Sequence, residues 1–236
     1  MKVALVTGGG TGIGAAIARR LSADGYSVAV TGRRPGPIED VAAEIGGLAV
    51  AADTGVETDA ERAVQETVER FGGLDALVCN AGIGGEGSLR KLDPATWDEV
   101  IRTNLTGAFL MCRAAIDHLA ERHGSVVTIS SAAGLRASPE SLAYCSSKAG
   151  LQMLTQCLAV DHGPEGVRVN CVAPGLMEGT RMTSRLRPEL ADGARQRAVL
   201  KRAASVEDVA DQVAAFCRTD SVTGQVLNID GGVFFH

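Results

Sequence analysis

The chain has 236 residues, 45% of them hydrophobic, and a net charge of −5 with no long run of one sign. That length suits one large α/β domain or two small ones, and the apolar content supplies a sizeable core. A nucleic-acid binder would show a basic footprint, and no apolar run approaches the roughly 20 residues that span a bilayer.

Met1-Lys2 leads directly into a strand-like run that ends in glycines, without the small-residue cleavage site of a signal peptide. The expected location is the cytoplasm. None of the six cysteines (Cys79, Cys112, Cys145, Cys157, Cys171, Cys217) forms a C-x-x-C pair, so they read as reduced, buried, small hydrophobes. The four histidines lack metal-ligand spacing, and no metal site is expected.

Val3–Val6 is a short apolar run that reads as a strand covered on both faces. Thr7-Gly8-Gly9-Gly10-Thr11-Gly12-Ile13-Gly14 follows, and then a helical pattern through Ile13, Ile17 and Leu21. Strand, glycine turn and helix together form a phosphate-binding context. The glycines permit close backbone approach, and a helix N-terminus offers free N–H groups and a positive dipole end. Ser27–Thr31 is the second strand, and Gly32-Arg33-Arg34 closes it. In dinucleotide folds this strand end meets the adenosine ribose, where an acidic side chain suits a 2′-hydroxyl and an arginine a 2′-phosphate. Arg33 and Arg34 therefore favour NADP (as NADPH), with NAD less favoured. Pro35 and Pro37 read as a Pro-rich turn.

Leu48–Ala52 is a third strand ending in Asp53. Asp59–Phe71 is an amphipathic helix, and Leu74–Cys79 is a fourth strand followed by Asn80-Ala81-Gly82. Asp93-Pro94 has the form of an N-cap with proline at the first helical position. The helical pattern then runs from Trp97 to Leu119, interrupted near Asn104 and Gly107. Asn104 is polar within an apolar face and needs a partner, in structure or in a site. Val126–Ile129, Val167–Val172 and Val226–Ile229 read as further strands, with helices at Leu142–His162 and Val206–Cys217. Strands alternate with helices throughout, which predicts an α/β, Rossmann-like, doubly wound parallel sheet of about seven strands in a single domain.

On the helix Leu142–His162, Tyr144 and Lys148 are four apart and share one face. A phenol near an ammonium is chemically useful, because the cation favours the phenolate and lowers its pKa. Such a pair moves a proton to or from an alcohol or carbonyl oxygen. Ser130 and Ser131 follow the strand Val126–Ile129, where a hydroxyl can hold the same oxygen.

Together these motifs resemble the short-chain dehydrogenase/reductase family in its single-domain branch, and in particular its 3-oxoacyl-[acyl-carrier-protein] reductases. The resemblance runs from Val3 to Gly232. It rests on the glycine motif at 7–14, Asp53, Asn80-Ala81-Gly82, Asn104, Ser131, Tyr144 with Lys148, Pro174-Gly175 and Asp230-Gly231-Gly232. It implies Tyr144 as catalytic acid/base, Lys148 as the group that lowers its pKa and holds the nicotinamide ribose, and Asn104 as the anchor of a water relay to Lys148. Ser131, thirteen residues before the tyrosine, is implied as the serine that holds the substrate oxygen. Cofactor contacts are implied at Gly8, Gly10, Thr11, Gly12, Ile13 and Gly14, at Asp53 and Thr54 beside the adenine, at Asn80, Ala81 and Gly82, and at Pro174, Gly175 and Thr180 by the nicotinamide.

Three positions depart from the family pattern. Cys79 replaces a second Asn, a change expected to affect packing only. Thr11 stands where many NADP-dependent members carry a basic residue, and the nicotinamide-contacting Thr180 is displaced by one residue.

Leu176–Ala203 should form the substrate lid. Its seven basic and three acidic residues give it a net +4, which suits an anionic, carrier-bound acyl substrate as well as it suits a solvated surface. The implied function is an NADP(H)-dependent oxidoreductase that reduces a ketone or 3-oxoacyl group. The alternative is a secondary-alcohol, sugar or steroid dehydrogenase, and a remote third reading is a catalytically silent NADP-binding regulator. The family implies a homotetramer or homodimer, and Phe234 and Phe235 suit a subunit contact. A small ketone or alcohol is the expected substrate.

Overall fold

A computed structural model describes residues 1–177 and 188–235. Strands β1 (Lys2–Thr7), β2 (Tyr26–Gly32), β3 (Leu48–Ala51), β4 (Ala76–Cys79), β5 (Ser125–Ile129), β6 (Arg168–Pro174) and β7 (Val226–Ile229) form one sheet in the order β3-β2-β1-β4-β5-β6-β7. Every pairing is parallel, with Val6 opposite both Val30 and Val78, and Val127 opposite Val78 and Asn170. The central strands β1, β4 and β5 are apolar almost without interruption and are buried along nearly their whole length. That is the pattern required when helices cover both faces of a sheet.

The helices are α1 (Gly12–Ala23), α2 (Pro35–Ile45), α3 (Glu57–Phe71), α4 (Pro94–Ile101), α5 (Gly107–Ala120), α6 (Leu142–His162), α7 (Pro188–Arg197) and α8 (Val206–Arg218). Ile17, Leu21, Ile38, Val41, Val209 and Val213 from α1, α2 and α8 build the core on one face. Ala63, Val64, Met111, Leu119 and Leu151 from α3, α5 and α6 build it on the other. Strand order reverses between β1 and β4, and in such sheets the ligand crevice opens outside the carboxyl ends of the strands at that point.

Pro35 and Pro37 do not make a turn; they open α2. Arg34 is its N-cap and Pro35 its first residue, a position where proline's missing N–H costs nothing. The break expected near Asn104 is a π-helical turn, Arg102–Thr106, between α4 and α5. Such turns displace the following residues around the axis and recur at functional sites.

Candidate active site

The glycine turn joins β1 to α1 and is tied to the end of β4. Thr7 Oγ1 accepts from the N–H groups of Asn80 (2.9 Å) and Ala81 (3.0 Å). Asn80 Nδ2 returns bonds to the carbonyls of Thr7 (2.8 Å) and Gly8 (3.2 Å). A Cβ on Gly14 would lie 2.2 Å from Gly8 O and 2.5 Å from Asn80 Nδ2, so helix and turn meet only through glycine. Gly8 itself has φ +63°, a conformation that favours glycine. Gly10 packs against the backbone of Pro37, and Ile13 lies half-buried against the core. Thr11, the exposed N-cap of α1, makes no side-chain capping bond, and the first turn carries no acidic residue. The opening N–H groups, beginning at Gly12, are left for an external anion, and this cradle fits the pyrophosphate of a dinucleotide.

Arg33, Arg34, Asp53 and Thr54 stand at the β2–β3 end of the crevice. Arg33 Nη1 lies 3.7 Å from Glu99 Oε1, both side chains being about half exposed. Asp53 accepts from the N–H of Gly55 (3.0 Å) and from Arg102 Nη2 (3.1 Å). Burial alone would raise the Asp53 carboxyl; the Arg102 and Gly55 hydrogen bonds, with the charges of Arg102 and Arg33, hold it below its ordinary range. Thr54 is buried against Gly107 at the start of α5. Arg102 was not among the residues singled out in the sequence. It sits in the π-helical turn, and its link to Asp53 crosses 49 positions.

At the β4–β6 end, Asn104 is buried. Its Oδ1 accepts from Ile83 N–H (2.8 Å), and its Nδ2 donates to Ile83 O (2.9 Å) and Ser147 Oγ (3.0 Å). The amide thus pins the loop carrying Gly82 to α6. A Cβ on Gly82 would come within 3.4 Å of Lys148 Nζ. Lys148 is buried, donates to Ile129 O at 2.7 Å, and holds its Nζ 5.8 Å from the centroid of the Tyr144 ring.

Ser130 and Ser131 differ in direction. Ser130 Oγ is buried and donates to Lys148 O (2.9 Å). Ser131 Oγ accepts from Ala133 N–H (3.1 Å), reaches Pro174 O at 3.5 Å, and is the neighbour of the Tyr144 phenol that favours its ionised form. Gly175 follows, its N–H on Ile229 O (2.8 Å) and its Cα against Asp230. The Asp230 carboxylate in turn accepts from Gly232, Val233 and Phe234 N–H groups. Thr180 and three of the lid's six arginines, Arg181, Arg185 and Arg187, lie outside the described residues.

The expected effect of Lys148 on Tyr144 does not hold in this structure. Burial pushes the Tyr144 phenol above its ordinary value, and only the neighbouring Ser131 opposes it. Burial likewise pushes Lys148 down to about 8, against a smaller opposing contribution from Cys171. The ammonium is turned toward Ile129 O, so desolvation outweighs the Coulomb term.

Cys79 Sγ packs 3.9 Å from Cys112 Sγ between β4 and α5, a packing role. Cys157 is exposed, contrary to the expectation of buried thiols. A surface depression of about 690 Å³ between α3 and α5, lined by Glu61, Arg62 and His118, lies away from the residues described above. Among the described residues, no group of three His, Cys, Asp or Glu side chains is placed to hold a metal ion, and no helix is long and apolar enough to cross a membrane.

A family model described as Enoyl-(Acyl carrier protein) reductase matches residues 8–234. The chain is 42% identical over 240 residues to the "Granaticin polyketide synthase putative ketoacyl reductase 2" of Streptomyces violaceoruber, covering 98% of this chain and 95% of that one. It is 37% identical to 2-(S)-hydroxypropyl-CoM dehydrogenase 3 of Xanthobacter autotrophicus, covering 98% and 96%. Its fold matches a 3-ketoacyl-(acyl-carrier-protein) reductase from Brucella melitensis, solved in complex with NADH, with a TM-score of 0.93, 31% identity and 98% of each chain covered. With the full-length match, the parallel sheet and the motifs in their expected order, the chain belongs to the short-chain dehydrogenase/reductase family.

Proposed function

We propose that the protein is an NADPH-dependent reductase of a ketone, with a 3-oxoacyl group as the favoured substrate class. The observation that carries this reading is the meeting of Ser131, Tyr144 and Lys148 at the carboxyl end of the sheet, beside a helix N-terminus open to a pyrophosphate. The bound cofactor supplies a hydride to the carbonyl carbon. Ser131 holds the carbonyl oxygen, and Tyr144 donates its phenolic proton to that oxygen as it becomes an alcohol. Lys148, still largely protonated at neutral pH, is the group that would hold a ribose hydroxyl and feed a proton relay to Tyr144.

Arg33 and Arg34 support NADP as the cofactor through the 2′-phosphate. The positive residues of the lid segment support a carrier-bound acyl substrate, and the ketoacyl reductases among the relatives point the same way. The hydroxypropyl-CoM dehydrogenase favours a second reading, secondary-alcohol oxidation with the same residues. Assembly as a homotetramer or homodimer belongs to the same proposal. It is supported by exposed Phe109, Met153 and Val160 on α5 and α6, and by Phe235, which is 75% exposed. A monomer in sedimentation at micromolar concentration would remove it.

The test titrates NADPH and NADH separately against wild type and an Arg33→Ala/Arg34→Ala variant, followed by a ketone screen. The expected result is NADPH preferred by about tenfold or more, the margin lost in the variant. Tyr144→Phe should lower kcat by a factor on the order of a thousand. Equal affinity for the two cofactors would turn the reading toward NAD and alcohol substrates.

A further inference from the structure

Tyr144, Lys148 and Gln152 recur every four residues on α6 and share one stripe. Gln152 is buried, and its Nε2 donates to Ser130 Oγ (3.1 Å) and to Ser131 O (3.2 Å). An amide nitrogen has two N–H donors, and both are placed. Ser131 O accepts a second bond from Gly134 N–H (2.9 Å). The next turn presses on the same stripe, because a Cβ on Gly134 would lie 2.7 Å from Gln152 Nε2 and 2.8 Å from the Lys148 carbonyl carbon. Ser130 Oγ carries the chain onward to Lys148 O. The strand exit that bears Ser131 is therefore bound to α6 through a buried side chain two turns beyond Tyr144.

We propose that Gln152 is a positioning residue whose amide holds the Ser131 main chain to α6, and thereby sets where the Ser131 hydroxyl stands against the Tyr144 phenol. This rests on the roles given above to Ser131 and Tyr144. The effect of Gln152 passes through the placement of Ser131, the neighbour that favours the phenolate against burial at Tyr144.

The chain contains two tyrosines, Tyr26 and Tyr144. In a Tyr26→Phe background the phenolate absorbance therefore reports Tyr144 alone, without substrate or cofactor. Gln152→Met should move that titration up by about half a pH unit, since the placement of Ser131 is loosened. It should also lower kcat for ketone reduction about tenfold, with the KM for NADPH unchanged and a similar thermal midpoint. Gln152→Glu, close in size but unable to donate when ionised, should shift the titration in the same direction, and it serves if the methionine variant does not fold. Folded variants whose Tyr144 titration and kcat match the parent would overturn the proposal. A titration that moves in a parent that reduces no ketone would leave Gln152 in its role and remove the proposed reaction instead.

Discussion

At the β2–β3 end of the crevice, Arg33 with Glu99 and Arg102 with Asp53 are ion pairs open in part to solvent. At the β5–α6 end, Lys148, Ser130 and Gln152 are buried and joined by hydrogen bonds to one another and to the backbone. The two ends are under different demands. Exposed ion pairs contribute little to stability and exchange partners readily, which would suit the 2′-phosphate contact proposed for this end. Buried polar groups cost free energy when a partner is lost, so they hold atoms in place. Fixed placement is what the proposed proton transfer between Tyr144 and a substrate oxygen would require.

The sharpest break of this comparison is at Lys148. Its folded pKa, about 8, lies below the ordinary 10.5. Between those values the unfolded chain binds more protons than the folded one, so folding stability should rise with pH through that window. Below about pH 8 the burial penalty is present in full. Against Lys148→Met, which lacks the titration, wild type should therefore gain up to roughly 3 kcal/mol between neutral pH and pH ~10. Urea unfolding of both proteins across that range reads it, and a difference independent of pH would show that the ammonium is not desolvated as described.

A smaller effect belongs to the other end. Arg102→Gln should cost at most about 1 kcal/mol in stability, and high salt should erase much of that. A larger loss that salt leaves untouched would mean that Asp53 and Arg102 form a buried, geometry-setting pair like those at the β5–α6 end. The contrast between the two ends would then collapse.

Much of this arrangement was legible in local patterns. The glycine turn was readable because strand, turn and helix follow one another directly, and the Tyr144–Lys148 pairing because one helical turn separates them. The start of α2 was misread, since prolines that signal a turn elsewhere also suit the first turn of a helix. The interruption at Asn104 was visible as a polar residue in an apolar stripe. Its partners, Ile83 and Ser147, became evident only when the loop after β4 and α6 were brought together. Gln152 was not singled out in the sequence, because its partners, Ser130 and Ser131, lie about twenty positions away.

The order of apolar runs, glycines and helical stripes along the chain determined a parallel α/β sheet with a phosphate cradle and a tyrosine–lysine face, because backbone geometry and hydrophobic periodicity act over a few residues. Tertiary structure alone decided which arginine holds Asp53, what binds the strand exit to α6, and in which direction the phenol and the ammonium titrate. Those outcomes depend on desolvation and on hydrogen bonds between residues about 20 to 50 positions apart, and burial and distance exist only once the chain has folded.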